Sequence, residues 1–255
     1  MTTDTHRLKP SGPSWTRRMI VLAVVAGIVF LGYRGYKLAH KAYIIANPVV
    51  DILTLPSSHI GMNTAEGTAL LKASAQADYP ALTTHFSAQK YRSYCGVASG
   101  VVATNALLTN SQFDQDNWFD DIPADLRSGW DTFFGGMTLE QFSALVQARG
   151  LSVDYHHGGQ GQIETFRRTV KSGASNANDI LVVNYSRKAL DQQGWGHFSP
   201  VAAYHAETDR VLILDVAAYK YAPSWVKLDA LWTAMATPDS DSGKNRGYAI
   251  IKKTR

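Results

Sequence analysis

Fifteen uncharged residues near the start of the chain, MIVLAVVAGIVFLGY from Met19 to Tyr33, constrain its folding more than any other feature. Arg17 and Arg18 precede the run, and Arg34 and Lys37 follow it. Such a stretch serves as a membrane span, a signal-peptide core or a buried helix. Its length lies at the upper end for a signal-peptide core and just below the roughly 17–25 residues of a spanning helix. Arg34 and Lys37 can bury their stems and lift their charges to the headgroups, which lengthens the usable span. RGYKLAHKA follows and offers no small-x-small cleavage site directly behind the run, although Ala39 and Ala42 leave later processing open. The expectation is a tail over residues 1–18, an uncleaved signal anchor or transmembrane helix over 19–40, and a folded domain over 46–255. Four bases lie before the run and three behind it, which favours a cytoplasmic N-terminus only slightly. On that orientation, in a bacterial cell, the domain faces the periplasm.

Charge follows the same division. Residues 1–45 hold seven bases and one acid, a net +6, so the chain's formal +4 leaves −2 for the other 210 residues. A mildly acidic domain removes the support that a basic total would lend to a nucleic-acid partner. With 45% hydrophobic and 18% charged residues, disordered and fibrous classes are excluded as well. One cysteine, Cys95, rules out an intrachain disulfide and a multi-cysteine zinc site. No two-ligand metal spacing such as HExxH occurs either, so no protein metal site is expected.

Within the domain, TLEQFSALVQARG reads as a helix with Thr138 as N-cap, Gln141 at the capping-box position and Gly150 past its end. LSVDYHH (151–157) reads as a short strand, 161–171 as a helix, ILVVNY (180–185) as a buried strand and RGYAIIKK (246–253) as a final strand. Helices before position 175 and strands after it favour an α+β fold. HFSPVAAY (197–204) and RVLILDV (210–216) flank the polar turn HAETD, in which His205 reads as solvated. In an antiparallel pair opposed positions share a constant sum, 412 with the turn centred on Ala206 and 414 on Glu207. His197 and Asp215 share 412, which makes them cross-strand neighbours about 5 Å apart at Cβ.

Cys95 begins CGVASGVVATNALL, which reads as a helix and sets the thiol at its N-terminus. A helix N-terminus and a nearby imidazolium both favour the thiolate. A lone cysteine is more often a buried structural thiol. His197 and Asp215 shift that balance, because a carboxylate that fixes one ring nitrogen leaves the other facing the sulfur, as in a catalytic triad with cysteine for serine. Gln89, six positions before Cys95, could join the cysteine N–H in an oxyanion hole; a lone glutamine is more often a surface amide.

QKYRSYCGVASGVVATNAL (89–107) and the stretch from Asn184 to Met235, with its GHFSP and LDVAAYKYAPSW boxes, resemble the phytochelatin synthase family, a branch of the papain-like cysteine peptidase fold. The resemblance implies a helical lobe bearing the nucleophile, packed on an antiparallel sheet bearing the histidine and aspartate. It implies a glutathione γ-glutamylcysteinyltransferase or hydrolase with Cys95 as nucleophile, His197 as base and acid, Asp215 as its orienter and Gln89 in the oxyanion hole. Asn184, Arg187 and Arg246 carry over as substrate contacts, while Gly194 and Gly196 are expected to let substrate backbone approach His197. Cleavage of the Cys–Gly bond would give γ-glutamylcysteine, or phytochelatins when a second glutathione accepts the acyl group. No cofactor is implied; heavy-metal ions such as cadmium would enter as thiolate complexes of the substrate or as activators.

Plant-type members carry a cysteine-rich C-terminal extension and a basic residue three positions after the aspartate, where this chain has Ala218. In both respects the sequence is similar to short prokaryotic members, for which hydrolysis outweighs transfer. Two rival readings stand beside this one: a papain-like peptidase acting on other short peptides, and a membrane-tethered module that binds thiols or metal without turnover. Homodimerisation and a role in metal detoxification as against glutathione turnover are both left open.

Overall fold

The computed structural model describes residues 15–123, 125–159 and 163–254. Most of the expected tail, residues 1–14, lies outside them, as do residues 161 and 162 of the helix read over 161–171. The chain divides into two units, Met1–Ile44 and Ile45–Arg255.

Helix α1 (Trp15–Ala46) continues beyond the expected end at residue 40. Its portion Met19–Ala46 is long and apolar enough to cross a membrane, by length and composition. The apolar character runs round the helix, with Ile20, Leu22, Phe30 and Leu31 all exposed.

In the second unit the elements run β1 (Ile60–Gly61), α2 (Ala65–Lys72), α3 (Tyr79–Thr84), α4 (Cys95–Leu107), α5 (Gly129–Gly135), α6 (Leu139–Ala148) and β2 (Leu151–His157). They continue with α7 (Ile163–Ala174), β3 (Asp179–Ser186), β4 (Gly196–His205), β5 (Arg210–Ile213), β6 (Ser224–Lys227), α8 (Leu228–Met235) and β7 (Gly247–Lys253). The strands form one antiparallel sheet in the order β1-β6-β5-β4-β3-β7-β2.

Alternation along β3 shows how the layers form. Ile180 and Val182 join a core with Val97, Val101 and Phe142 of α4 and α6, and Leu181, Val183 and Tyr185 join another with Phe166, Val170, Leu228 and Leu231 of α7 and α8. Both faces are therefore covered, which is why this strand reads as a continuous apolar run. Helices stand on both sides of the sheet, where the sequence suggested one helical lobe packed on it. Most of helix α4 lies inside, and its residues Ala98, Ser99, Gly100 and Ala103 are buried, with β4 and the neighbouring helices packed on the helix. Small side chains allow that close approach and bring the first residue of α4 to the sheet.

The β4–β5 register departs from the simple hairpin. His205 opposes Arg210, Tyr204 opposes Val211 and Ala203 opposes Leu212, but Val201 opposes Ile213, leaving Ala202 as an extra residue in a bulge. Had the first register continued, Pro200 would oppose Asp215, and Asp215 would share a face with even-numbered positions of β4. The bulge shifts the count by one, so Ser199 takes that place and Asp215 comes onto the His197 side. His205 is buried, not solvated, because its Nδ1 lies 2.9 Å from Thr208 Oγ1 and ties the turn together.

Helix α6 begins as the sequence indicates: Gln141 N–H donates to Thr138 Oγ1 at 3.2 Å, and Thr138 N–H donates to Gln141 Oε1 at 2.9 Å. Thr138→Ala is expected to lower stability by about 1 kcal/mol, and Thr138→Ser to restore most of it, as measured by urea unfolding.

Candidate active site

Cys95 is the first residue of α4, partly exposed to a cavity of about 650 Å³. No side chain caps this helix: Tyr94, at the N-cap, makes no side-chain cap hydrogen bond. The N–H groups of the first turn are thus left beside the sulfur, and the positive end of the helix favours a thiolate there.

His197, in the second position of β4, is buried next to it. Its Nε2 donates to Asp215 Oδ1 at 2.9 Å, and the ring lines the same cavity as Cys95. Nε2 is occupied by the carboxylate, so Nδ1 is the nitrogen that faces sulfur. Tyr185 packs edge-on against the ring, with centroids 5.7 Å apart, and holds its plane. Asp215 lies two residues past β5; it reaches His197 from a diagonal position, not from the direct opposition the sequence suggested.

Charges at the three groups support one another. Burial raises the Cys95 pKa, but the hydrogen bond and charge of His197, with a backbone hydrogen bond from Phe198, lower it by more, leaving the thiol below its ordinary value. Burial and the charge of Arg187 lower the His197 pKa, and Asp215 and Cys95 raise it by more, leaving the ring above its ordinary value. Asp215 is held well below the usual carboxylate range: burial opposes its ionisation, and His197 and Arg187 overcome that. These directions are those of a thiolate–imidazolium pair backed by a carboxylate.

Arg187, expected to meet substrate, lines the same cavity, and its donors have partners within the protein. Its side chain is buried, Nη2 donates to Asp215 Oδ1 at 2.8 Å, Nη1 donates to Gln192 Oε1 at 2.7 Å, and the guanidinium lies over the Tyr221 ring. Those donors serve the triad carboxylate and the loop that follows β3. Gln89, expected in the oxyanion hole, is buried and lines the same cavity as Cys95 and His197. Its Nε2 lies 2.9 Å from the carbonyl of Tyr91, 3.0 Å from that of Arg92 and 3.0 Å from the Tyr219 hydroxyl.

A Cβ on Gly196 would collide with Arg246 Nη1, so the bare backbone makes room for that guanidinium, and Gly194 and Gly196 both line the cavity. Gly194, at φ +127°, lets the loop pass over the Arg187 side chain.

Asn184 and Arg246 come together in the cavity, with Arg246 Nη1 donating to Asn184 Oδ1 at 3.3 Å and Arg246 Nη2 lying 3.7 Å from Asp239 Oδ1. Asn184 Nδ2 and Arg246 Nε are buried and have no acceptor among the described residues. Asp239, Arg92, Tyr219 and Lys220 also line this space. Sequence reasoning missed all four: none lies in a motif that chemistry alone would single out, and Asp239 reaches the site only because the loop after α8 folds back beside β7.

Comparison with known proteins points the same way. The family model described as phytochelatin synthase matches residues 50–248. Glutathione gamma-glutamylcysteinyltransferase 3 of Lotus japonicus is 38% identical over 178 residues, covering 68% of this chain and 37% of the relative. Glutathione gamma-glutamylcysteinyltransferase 1 of Arabidopsis thaliana is 35% identical over 176 residues, 68% of this chain and 36% of the relative. The Schizosaccharomyces pombe glutathione gamma-glutamylcysteinyltransferase is 32% identical over 179 residues, 69% of this chain and 43% of the relative. The matched region thus spans well under half the length of these curated relatives.

The charge arrangement predicts how Cys95 reacts with iodoacetamide. Its alkylation rate should rise with pH at a midpoint below that of an ordinary thiol, and change again as His197 loses its proton above the ordinary imidazole range. In His197→Ala the low midpoint should return to the ordinary thiol range, leaving a single step.

Proposed function

The chain belongs to the phytochelatin synthase family, and on that premise we propose that it cleaves the Cys–Gly bond of glutathione through a thioester on Cys95. The reading rests above all on the thiolate–imidazolium pair facing a cavity in which Asn184 Nδ2 and Arg246 Nε lack acceptors. A buried unpaired donor costs about 1–3 kcal/mol, which a ligand carboxylate or carbonyl can return. Glutathione carries two carboxylates and one ammonium; Arg246 and Asn184 suit a carboxylate, and Asp239 suits the ammonium.

The steps follow from the triad. The Cys95 thiolate adds to the carbonyl of the Cys–Gly peptide bond and forms a tetrahedral oxyanion. As that intermediate collapses, the C–N bond breaks, His197 Nδ1 gives its proton to the departing glycine nitrogen, and a γ-glutamylcysteinyl thioester remains on sulfur. Water, losing a proton to the now neutral His197, adds to the thioester; the C–S bond then breaks, releasing γ-glutamylcysteine and restoring the ion pair. The amine of a second glutathione in place of water gives a phytochelatin. Ala218 leaves one cation fewer for that acceptor, and deglycination is the dominant outcome. Heavy-metal ions enter as thiolate complexes of glutathione. A thiolate at the head of a helix facing an imidazole on an antiparallel sheet is the papain-like arrangement, and the fold is assigned to that group on this ground. Helix α1 is the membrane anchor, with the catalytic unit on the extracytoplasmic side.

Mass spectrometry of the products formed from glutathione, with and without cadmium, tests the reaction. Glycine and γ-glutamylcysteine are expected in equal amounts; chains of two or more γ-Glu-Cys units as the main product would overturn the preference for hydrolysis. Cys95→Ser and His197→Ala should each abolish glycine release, while Arg246→Met should raise KM about tenfold with a smaller fall in kcat. A C-terminal alkaline phosphatase fusion tests orientation: activity places the catalytic unit outside the cytoplasm, and its absence contradicts the assignment.

A further inference from the structure

Away from the triad, one carboxylate of α6 meets two cations from distant parts of the chain. Glu140 Oε1 lies 2.7 Å from Lys244 Nζ and 3.2 Å from Nε2 of His157, the last residue of β2. The other ring nitrogen, Nδ1, stands 2.6 Å from the Asn245 carbonyl oxygen. A carbonyl only accepts, so Nδ1 carries a proton. A neutral ring would then turn the lone pair of Nε2 toward a carboxylate oxygen, and a second proton converts that repulsion into attraction between charges. His157 Nε2 and Glu140 Oε2 are both buried without a hydrogen-bond partner among the described residues, so charge is what this contact has to offer. Burial opposes ionisation of Glu140, and hydrogen bonds, that of Lys244 foremost, overcome it and keep the carboxylate negative. Beyond Glu140 and Lys244, Tyr155 faces the ring edge-on with centroids 5.9 Å apart, and His156 turns to the opposite side of β2 with Asp154. Lys244 and Asn245 lie in the loop between α8 and β7, which also brings Asp239 and Arg246 to the active cavity. Within it Asp239 N–H donates to the Lys244 carbonyl at 2.7 Å and Arg246 N–H to the Thr237 carbonyl at 3.0 Å, while Gly158 N–H donates to the Arg246 carbonyl at 2.6 Å. Holding Lys244 and Asn245 therefore holds the two cavity residues on either side of them.

We propose that Glu140, the charged form of His157 and Lys244 make a clamp on the loop between α8 and β7, and that this clamp positions Asp239 and Arg246 for substrate. All three are positioning residues. Loop closure and protonation favour each other, because the closed loop supplies the carbonyl and sets the carboxylate that a doubly protonated ring needs. The clamp is thus complete at low pH and loosens as pH rises and Nε2 gives up its proton, while Nδ1 keeps its bond to Asn245 in both states. The inference rests on the reading of Asp239 and Arg246 as substrate contacts.

The test compares wild type, Glu140→Gln, His157→Gln and Lys244→Arg of the full chain between about pH 5 and pH 8, the range in which imidazoles change charge. Two quantities are measured: hydrogen exchange of the loop peptides by mass spectrometry, and kcat and KM for glycine release from glutathione. In wild type the protection of the loop amides, corrected for the intrinsic exchange rate at each pH, should fall about fivefold from the acid to the alkaline end. Glu140→Gln and His157→Gln should show the lower protection at every pH, without the step, and Lys244→Arg should keep it. KM of the first two variants relative to wild type should be about fivefold higher at the acid end and approach wild type at the alkaline end. Their kcat should stay within about twofold, with alkylation of Cys95 by iodoacetamide unchanged. A wild-type loop indifferent to pH, a step that survives in His157→Gln, or protection lost across the whole catalytic unit overturns the clamp. A clamp seen by exchange with KM unmoved in the variants overturns its role in positioning Asp239 and Arg246. If wild type does not cleave glutathione, the substrate assignment falls and the exchange measurement still decides the clamp.

Discussion

Asp215 Oδ1 accepts three hydrogen bonds, from His197 Nε2 at 2.9 Å, Arg187 Nη2 at 2.8 Å and its near neighbour Ala217 N–H at 2.9 Å, in a place almost closed to water. A carboxylate so surrounded stays ionised and cannot rotate. One oxygen then sets the tautomer of His197, the direction in which Nδ1 points, and the charge that makes an imidazolium tolerable inside the protein. Arg187 works in two directions. It anchors the carboxylate, and its positive charge pulls the His197 pKa down, so the imidazolium is supported without being locked in place. Removing one partner of a buried ion pair leaves the other uncompensated, which ties the loop carrying Arg187 to the state of Asp215.

The fold delivers this arrangement through two local devices. Small residues along α4 let it sit deep against the sheet with its uncapped N-terminus open to the cavity. The bulge at Ala202 turns Asp215 to the His197 side of β4. Neither is costly in a sheet covered on both faces, since the cores formed with α4 and α6 and with α7 and α8 keep β3 and β4 fixed on either side. Helix α1 is a separate matter, set by length and apolarity alone.

Much of this was legible in the sequence. The Thr138 capping box, the buried run at 180–185 and the strand at 151–157 depend on neighbours in the chain, and pattern reasoning reaches those. The pairing of His197 with Asp215 was also within reach, because a short hairpin joins them. Its exact register was not: a bulge changes the count by one residue and leaves no mark in composition. Arg187 shows a further limit. A cation beside a motif for an anionic substrate invites assignment to that substrate, and only coordinates reveal that a closer carboxylate has claimed it. Asp239 comes from a loop whose approach to the cavity depends on tertiary packing, and nothing in its surroundings in sequence announces it. The glycines at 194 and 196 were recognised as space-makers, but the occupants turned out to be arginine side chains.

The central claim is that Cys95 takes an acyl group from glutathione with loss of glycine. Intact-protein mass spectrometry of the chain, quenched in acid during turnover, addresses it directly. An adduct on Cys95 equal to glutathione less glycine, removed by hydroxylamine and absent in Cys95→Ser, is the predicted result. An adduct of whole glutathione that a reductant releases would contradict the account, and so would an unmodified Cys95 while glycine accumulates.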